Sequence, residues 1–220
     1  MNKEIDKKIK ISEAATRRYI ENNRFTIQSL ADELSISSSE IFDLFPNRSS
    51  ILRFYYESRL IIYNDQTKKI DGYKDFTLSE KLNNLFQTIT DLFQENREFV
   101  LLTYRKMIVE SCSSTAFKDE FIKALKSIFY SDSHIPSSSK PFINGLLFNT
   151  LFIQFHGLIL FWKYDESHAH ENTMALTDKW CSLIEELYYS KTIDKGLDFV
   201  KFLLTNSPLK SYLGDKRGAV

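Results

Sequence analysis

Apolar residues recur at intervals of three and four along nearly the whole chain, the spacing that gathers side chains on one face of an α-helix. Over residues 5–22 the inward candidates are Ile5, Ile9, Ile11, Ala15, Tyr19 and Ile20, and Asn22-Asn23 offers a left-handed stop. Ile27, Leu30, Ala31 and Leu34 make the face of a short second helix. Ser35-Ile36-Ser37 breaks the pattern, and Ile41, Leu44 and Phe45 resume it in a third. Ser37 and Glu40 have the spacing of a capping box, in which each side chain satisfies a backbone N–H at the other position. Pro46 ends that helix, because the residue before a proline avoids the helical region. A fourth helix, capped by Asn47, runs toward Lys69 with Ile51, Leu52, Tyr55, Leu60 and Ile62 turned inward.

Asp71-Gly72 marks a boundary, and beyond it the pattern predicts helices only. Leu78, Leu82, Leu85, Phe86, Ile89, Leu92 and Phe93 form one regular stripe. Residues 97–111 form a further apolar helix, and Phe117, Phe121, Ile122, Leu125, Ile128 and Phe129 the next stripe. The run SDSHIPSSS at 131–139 is a loop by composition. A long helix is expected over 141–164 with Pro141 in its first turn, then a polar connection at 165–172. Helices near 173–190 and 193–205 follow, and the tail from Pro208 frays. The long helix is apolar nearly all round, so it must be covered on more than one side. It could be the central helix of a monomer, or pack between its own domain and a partner. Asn149, His156 and Lys163, seven apart, line one narrow polar stripe on it, and Gly145 and Gly157 permit a close helix approach.

The chain has 220 residues, enough for one large or two small cores, and few glycines or prolines, so the fold class is all-α. Lys and Arg total 29 against 29 Asp and Glu, so no global field draws the chain to nucleic acid. The first 24 residues are nonetheless mildly basic: Lys3, Lys7, Lys8, Lys10, Arg17, Arg18 and Arg24 stand against Glu4, Asp6, Glu13 and Glu21. Cys112 and Cys181 provide neither a disulfide framework nor a metal cluster, which suggests the cytoplasm. The start MNKEIDKKIK lacks the apolar core of a signal peptide. Residues 145–162 are the one candidate membrane span, and Asn149, Thr150, Gln154 and His156 interrupt it, so no membrane association is expected.

Enzyme chemistry finds no carrier. There is no glycine-rich phosphate loop, nucleophile elbow or paired-cysteine motif, so neither a cofactor nor an enzymatic activity is expected. His168 and His170 are too few to hold a metal alone. An all-helical enzyme or carrier would have only these two histidines and His156 to work with.

Two short helices joined by a tight turn form a helix-turn-helix, whose second helix can lie in a DNA major groove. The segment 26–52 also resembles the DNA-binding segment of TetR-type transcription regulators. The matching marks are Thr26, Leu30-Ala31, Ile36-Ser37, Ile41-Phe42, Phe45-Pro46, Arg48 and Ile51-Leu52, with Ala14-Ala15 upstream. The resemblance implies a three-helix DNA-binding domain over 1–47, a connecting helix over 48–70, a larger helical ligand-binding and dimerisation domain over 71–207, and a tail over 208–220. It places DNA contact on Thr26, Gln28, Ser37, Ser38, Ser39, Phe42, Asp43 and Arg48. Hydroxyls and an arginine suit phosphate oxygens, and small serines let the helix sit deep in the groove.

Three positions differ from the family pattern. Ser35 stands where glycine is usual in the turn, and if that position needs a positive φ, serine costs roughly 1 kcal/mol. Phe42 replaces a tyrosine and so lacks a phosphate-bonding hydroxyl. Asp43 is acidic, able to accept from cytosine N4 or to be repelled by phosphate.

The same resemblance implies a homodimer through helices near 141–164 and 173–190, and a double-stranded DNA operator. It also implies release by a small lipophilic or aromatic ligand, with Phe86, Phe93, Tyr104, Met107, Phe121, Phe152, Phe155 and His156 as candidate lining. The expected role is therefore a ligand-released repressor. Phe42 and Asp43 motivate the alternative, a protein-interaction module on the same fold.

Overall fold

A computed structural model describes residues 2–22, 25–111 and 115–190, together with positions 195, 196 and 198. The described residues form α-helices and short turns with no strand. The expected stop at Asn23, Arg24, Cys112, most of the expected helix over 193–205 and the tail lie outside the described residues.

The amino-terminal head consists of α1 (Lys3–Asn22), α2 (Ile27–Leu34) and α3 (Ser38–Leu44). The long α4 (Arg48–Thr67) leads out of it. Its boundaries follow local chemistry. Thr26, Ser37 and Asn47 each cap the helix that follows and complete a capping box with Ser29, Glu40 and Ser50. Phe45, before Pro46, is extended (φ −142°, ψ 124°) and ends α3 as the proline requires. Ser35 has φ 54° and ψ 42°, so the turn does need the left-handed region there, and a serine occupies it. Ile11, Ala14, Ala15, Leu30, Ala31, Ile41 and Ile51 are buried beneath these helices. Ser12 Oγ donates to the Ile51 carbonyl at 2.8 Å, fastening α1 to α4.

The body begins after Gly72, whose φ of 72° turns the chain. It contains α5 (Leu78–Gln94), α6 (Arg97–Tyr104), α7 (Ala116–Tyr130), α8 (Gly145–Tyr164) and α9 (Glu171–Tyr189). All seven residues of the expected α5 stripe are buried, and α9 lies along α5. Head and body share one core. Tyr56 of α4 meets the rings of Phe93, Phe99, Tyr104 and Phe117, and its hydroxyl bonds to Thr103 Oγ1 at 2.7 Å.

Two expectations change. The segment 97–111 is not one α-helix: after Tyr104 it widens into a π turn (Arg105–Val109), with Glu110 N–H donating to the Arg105 carbonyl at 2.9 Å. The side chains of Arg105 and Glu110, five apart, pair across that turn at 2.7 Å. The long helix starts at Gly145, not at 141. Pro141 lies in a separate 3₁₀ turn (Lys140–Phe142), and Asn144 caps α8 by accepting from Leu146 and Leu147. Among the described residues, a Cβ at Gly145 or Gly157 would meet no atom of another element within 4 Å.

Helix α8 is long and apolar enough to cross a membrane by length and composition. One face, including Phe148, Phe152, Phe155, Leu158 and Trp162, is packed into the core. The other leaves Leu146, Ile153, Leu160, Phe161 and Tyr164 exposed, and Leu183 and Leu187 of α9 are exposed too.

Candidate DNA-binding face and ligand groove

Hydrogen bonds hold the turn between α2 and α3 rigid. Gln28 of α2 accepts from Ser38 Oγ at 2.9 Å and donates to Asp32 at 2.7 Å. Ser37 Oγ accepts from the Glu40 N–H at 3.1 Å, and Glu40 accepts from the Ser37 N–H at 3.1 Å. Glu40 also pairs with Lys7 of α1. The Lys7 hydrogen bond, followed by that from the Ser37 backbone, holds the Glu40 carboxyl below its ordinary value. The acidic residue at the start of α3 is thus occupied by its own fold.

Ser38, Ser39 and Phe42 recur at helical spacing on α3, so they share a face. Ser39 and Phe42 are open to solvent, Phe42 at 54% exposure, and Asp43 beside it is exposed. Thr26 is exposed at the start of α2, where its hydroxyl accepts from the Ser29 N–H at 3.0 Å. Arg48 Nη1 donates to the Phe25 carbonyl at 2.7 Å, tying the start of α4 to the segment before α2. The candidate DNA contacts therefore come together around α3, most of them held by a neighbour. Helix α3 itself carries no lysine or arginine.

The aromatic candidates of the body divide into two groups. Phe86, Phe93, Phe121, Phe152 and Phe155 are buried and pack on one another or on Phe117, with Phe121 and Phe155 centroids 4.6 Å apart and Phe121 and Phe152 5.4 Å apart. Trp180 of α9 stacks on Phe86 at 4.8 Å. These rings fill the core and line none of the clefts described here.

Tyr104 and His156 do line open space. They sit in a groove of about 440 Å³ between α6 with its π turn and α8, walled by Val100, Leu101, Ile159 and Leu160, with Arg105 and Lys163 at its edge. Tyr104 and His156 Nδ1 are hydrogen-bonded at 2.6 Å. Burial, with the nearby Lys118 charge, lowers the His156 pKa to about 4, so the ring is neutral at pH 7. Burial likewise keeps the Tyr104 hydroxyl protonated. With Nδ1 engaged by that hydroxyl, Nε2 is the nitrogen left for another partner. Met107 lies elsewhere, in a second cleft between head and body.

Sequence reasoning did not find Arg59. It is fully buried at 0% exposure, yet donates to Glu13 of α1 and to Glu95 beyond α5, and stacks on Tyr55. It joins head to body from inside. The two histidines of the 165–172 connection serve the fold: His170 Nδ1 donates to the Asp165 carbonyl at 3.1 Å, and His168 lies 3.6 Å from Glu171.

With this geometry established, residues 81–203, more than half of the chain, match the family model described as the tetracyclin repressor-like C-terminal domain. Comparison with curated proteins gives no match. The matched segment begins well after the helix-turn-helix, so body and head point to the same family from separate residues.

Proposed function

The chain belongs to the tetracycline repressor-like family of transcription regulators, and on that premise we propose that it is a homodimeric repressor which a small lipophilic or aromatic molecule releases from a DNA operator. The observation that carries the reading is the head. A capped, cross-bonded helix-turn-helix presents Ser39 and Phe42 outward on its second helix, flanked by Thr26, Gln28 and Arg48. A rigid element of this kind reads base edges with α3 and positions itself through phosphate contacts from α2 and α4. Cys181, a buried free thiol, suits the reducing cytoplasm where such a regulator works.

The exposed apolar face of α8 and α9 supports the dimer. Leu146, Ile153, Leu183 and Leu187 lie on a surface that a second copy would cover with the same residues, as two-fold symmetry demands. Gly145 and Gly157, with no other element near their Cβ positions among the described residues, leave room for that copy to approach. The groove at Tyr104 and His156 is the natural effector site, apolar with few polar groups. A ligand there releases DNA only if it binds more tightly to the state in which the two heads are wrongly spaced.

Selection of bound duplexes from a random pool, with affinity followed against salt, tests the reading. A near-palindrome whose log affinity falls steeply with log salt supports a dimeric DNA reader. A shallow salt response with no enriched sequence overturns it. That outcome would favour the second reading, a protein-interaction module, which the exposed Phe42 and Asp43 and the lack of basic residues in α3 motivate.

A further inference from the structure

We propose that the cleft between head and body is a second small-molecule site, separate from the Tyr104–His156 groove, and that it takes an apolar organic monoanion such as an aromatic or short-chain carboxylate. The cleft measures about 320 Å³, within the ~300–1,000 Å³ typical of ligand pockets. Four parts of the chain line it: α1, the corner from α3 into α4, the π turn, and the first turn of α7.

Its chemistry has two halves. Phe45, Phe54, Met107, Ile108 and Phe117 provide an apolar lining. Lys8 and Arg53 supply the charge. The Lys8 ammonium stands 4.8 Å from the Phe54 ring centre and 5.3 Å from that of Phe45, held over both faces. Arg53 is exposed on α4 and has no hydrogen bond or ion pair with any described residue. Glu57 faces the same space and offsets one of the two cations, leaving the charge unbalanced toward positive. The start of α7 adds the positive end of its helix dipole to the same wall.

A carboxylate between Lys8 and Arg53, with its apolar body against the rings, satisfies both halves at once. Because the occupant touches α1 and α4 on one side and the π turn and α7 on the other, it stabilises the head orientation of this structure. The site stands whether or not the groove at His156 holds an effector.

The protein with ¹³C-methyl methionine provides the test, since of its two described methionines, Met107 and Met174, Met107 lines the cleft and Met174 does not. Titration with 1-naphthoate should shift the Met107 methyl saturably by ring current and leave Met174 in place. Lys8→Gln and Arg53→Gln should each weaken binding about tenfold, the size of a lost charge-assisted contact. Glu57→Gln should tighten it about threefold by removing the opposing charge, a gain that damaged folding would not produce. The cationic analogue 1-naphthylmethylamine should leave the Met107 methyl unmoved. An unmoved Met107 methyl with naphthoate, or equal affinity in the wild type, Lys8→Gln and Arg53→Gln proteins, overturns the proposal.

Discussion

Arg59 Nη2 donates to Glu13 Oε1 at 2.7 Å, joining two helices whose partners lie 46 positions apart in the chain. The guanidinium is fully enclosed, while Glu13 and Glu95 keep part of their carboxylates in water. Removing the arginine leaves a cavity against Tyr55 and two unpaired acids at the joint. Arg59→Ala should therefore cost about 3 kcal/mol in urea denaturation. Glu13→Gln should cost under about 1 kcal/mol, because its solvated side was never fully committed to the pair. Equal losses from the two would mean that the buried cation is not what holds head to body.

Ser35 holds a left-handed conformation at the end of α2. Glycine adopts it without a Cβ penalty but loses more freedom on folding. The balance favours Ser35→Gly by about 0.5–1 kcal/mol. An unchanged or lower urea midpoint would show that the serine is not strained there.

His156 makes stability depend on pH. Its folded pKa of about 4 lies below the ordinary 6.5, through burial first and the Lys118 charge second. Between those values the unfolded chain binds a proton that the folded chain refuses, so stability falls as pH falls through that window. Discounted for the solvent that reaches the ring, the loss between pH 7 and pH 4 is about 2 kcal/mol. His156→Gln, which cannot titrate, should flatten that part of the profile. A slope that persists would assign it to another group.

Asp165 acts in the same direction, in a more acidic window. Burial works against its ionisation, but hydrogen bonds from Ser167 and Thr173, side chain and backbone, outweigh it and hold the carboxyl well below its ordinary 3.8. Its contribution to stability is present above 3.8 and is lost as pH falls toward the depressed folded value. Asp165→Asn should lower Tm at pH 7, with the gap to wild type closing in acid below 3.8. A gap that stays constant down to pH 2 would mean that the charge of Asp165 contributes nothing.

Which features the sequence revealed depends on whether their cause was local. Ser37 with Glu40 and Asn47 with Ser50 set helix starts by bonds spanning three residues, and Pro46 restricts Phe45, so α3 and the start of α4 could be read directly. Pro141 misled because it suits the first turn of a 3₁₀ helix as well as of an α-helix, and the true cap of α8 is Asn144. The π turn after Tyr104 leaves no trace in the hydrophobic spacing. Periodicity showed that Phe86, Phe121 and Phe155 face inward, yet not whether they meet a cavity or each other. They meet each other. Arg59 was missed because a buried charge is visible only when its two distant partners are in place.

Arg48 provides the last prediction, because its guanidinium stands between two roles. One nitrogen donates to the Phe25 carbonyl, fixing α4 against the approach to α2. The same group sits at the start of α4, where helix termini and cations meet phosphate. If it touches the DNA backbone, Arg48→Ala should weaken binding to every duplex alike and lower the salt slope by about 1. Ser39 lies exposed on the outward face of α3 and has no such anchoring bond. Ser39→Ala should instead shift the preferred bases and leave the salt slope alone. Affinity measured on the selected operator and on a scrambled duplex, at several salt concentrations, separates the two effects. If Arg48→Ala keeps the wild-type salt slope and loses only thermal stability, Arg48 belongs to the fold. Phosphate contact would then have to come from elsewhere on the head, with Thr26 and Gln28 as the first places to look.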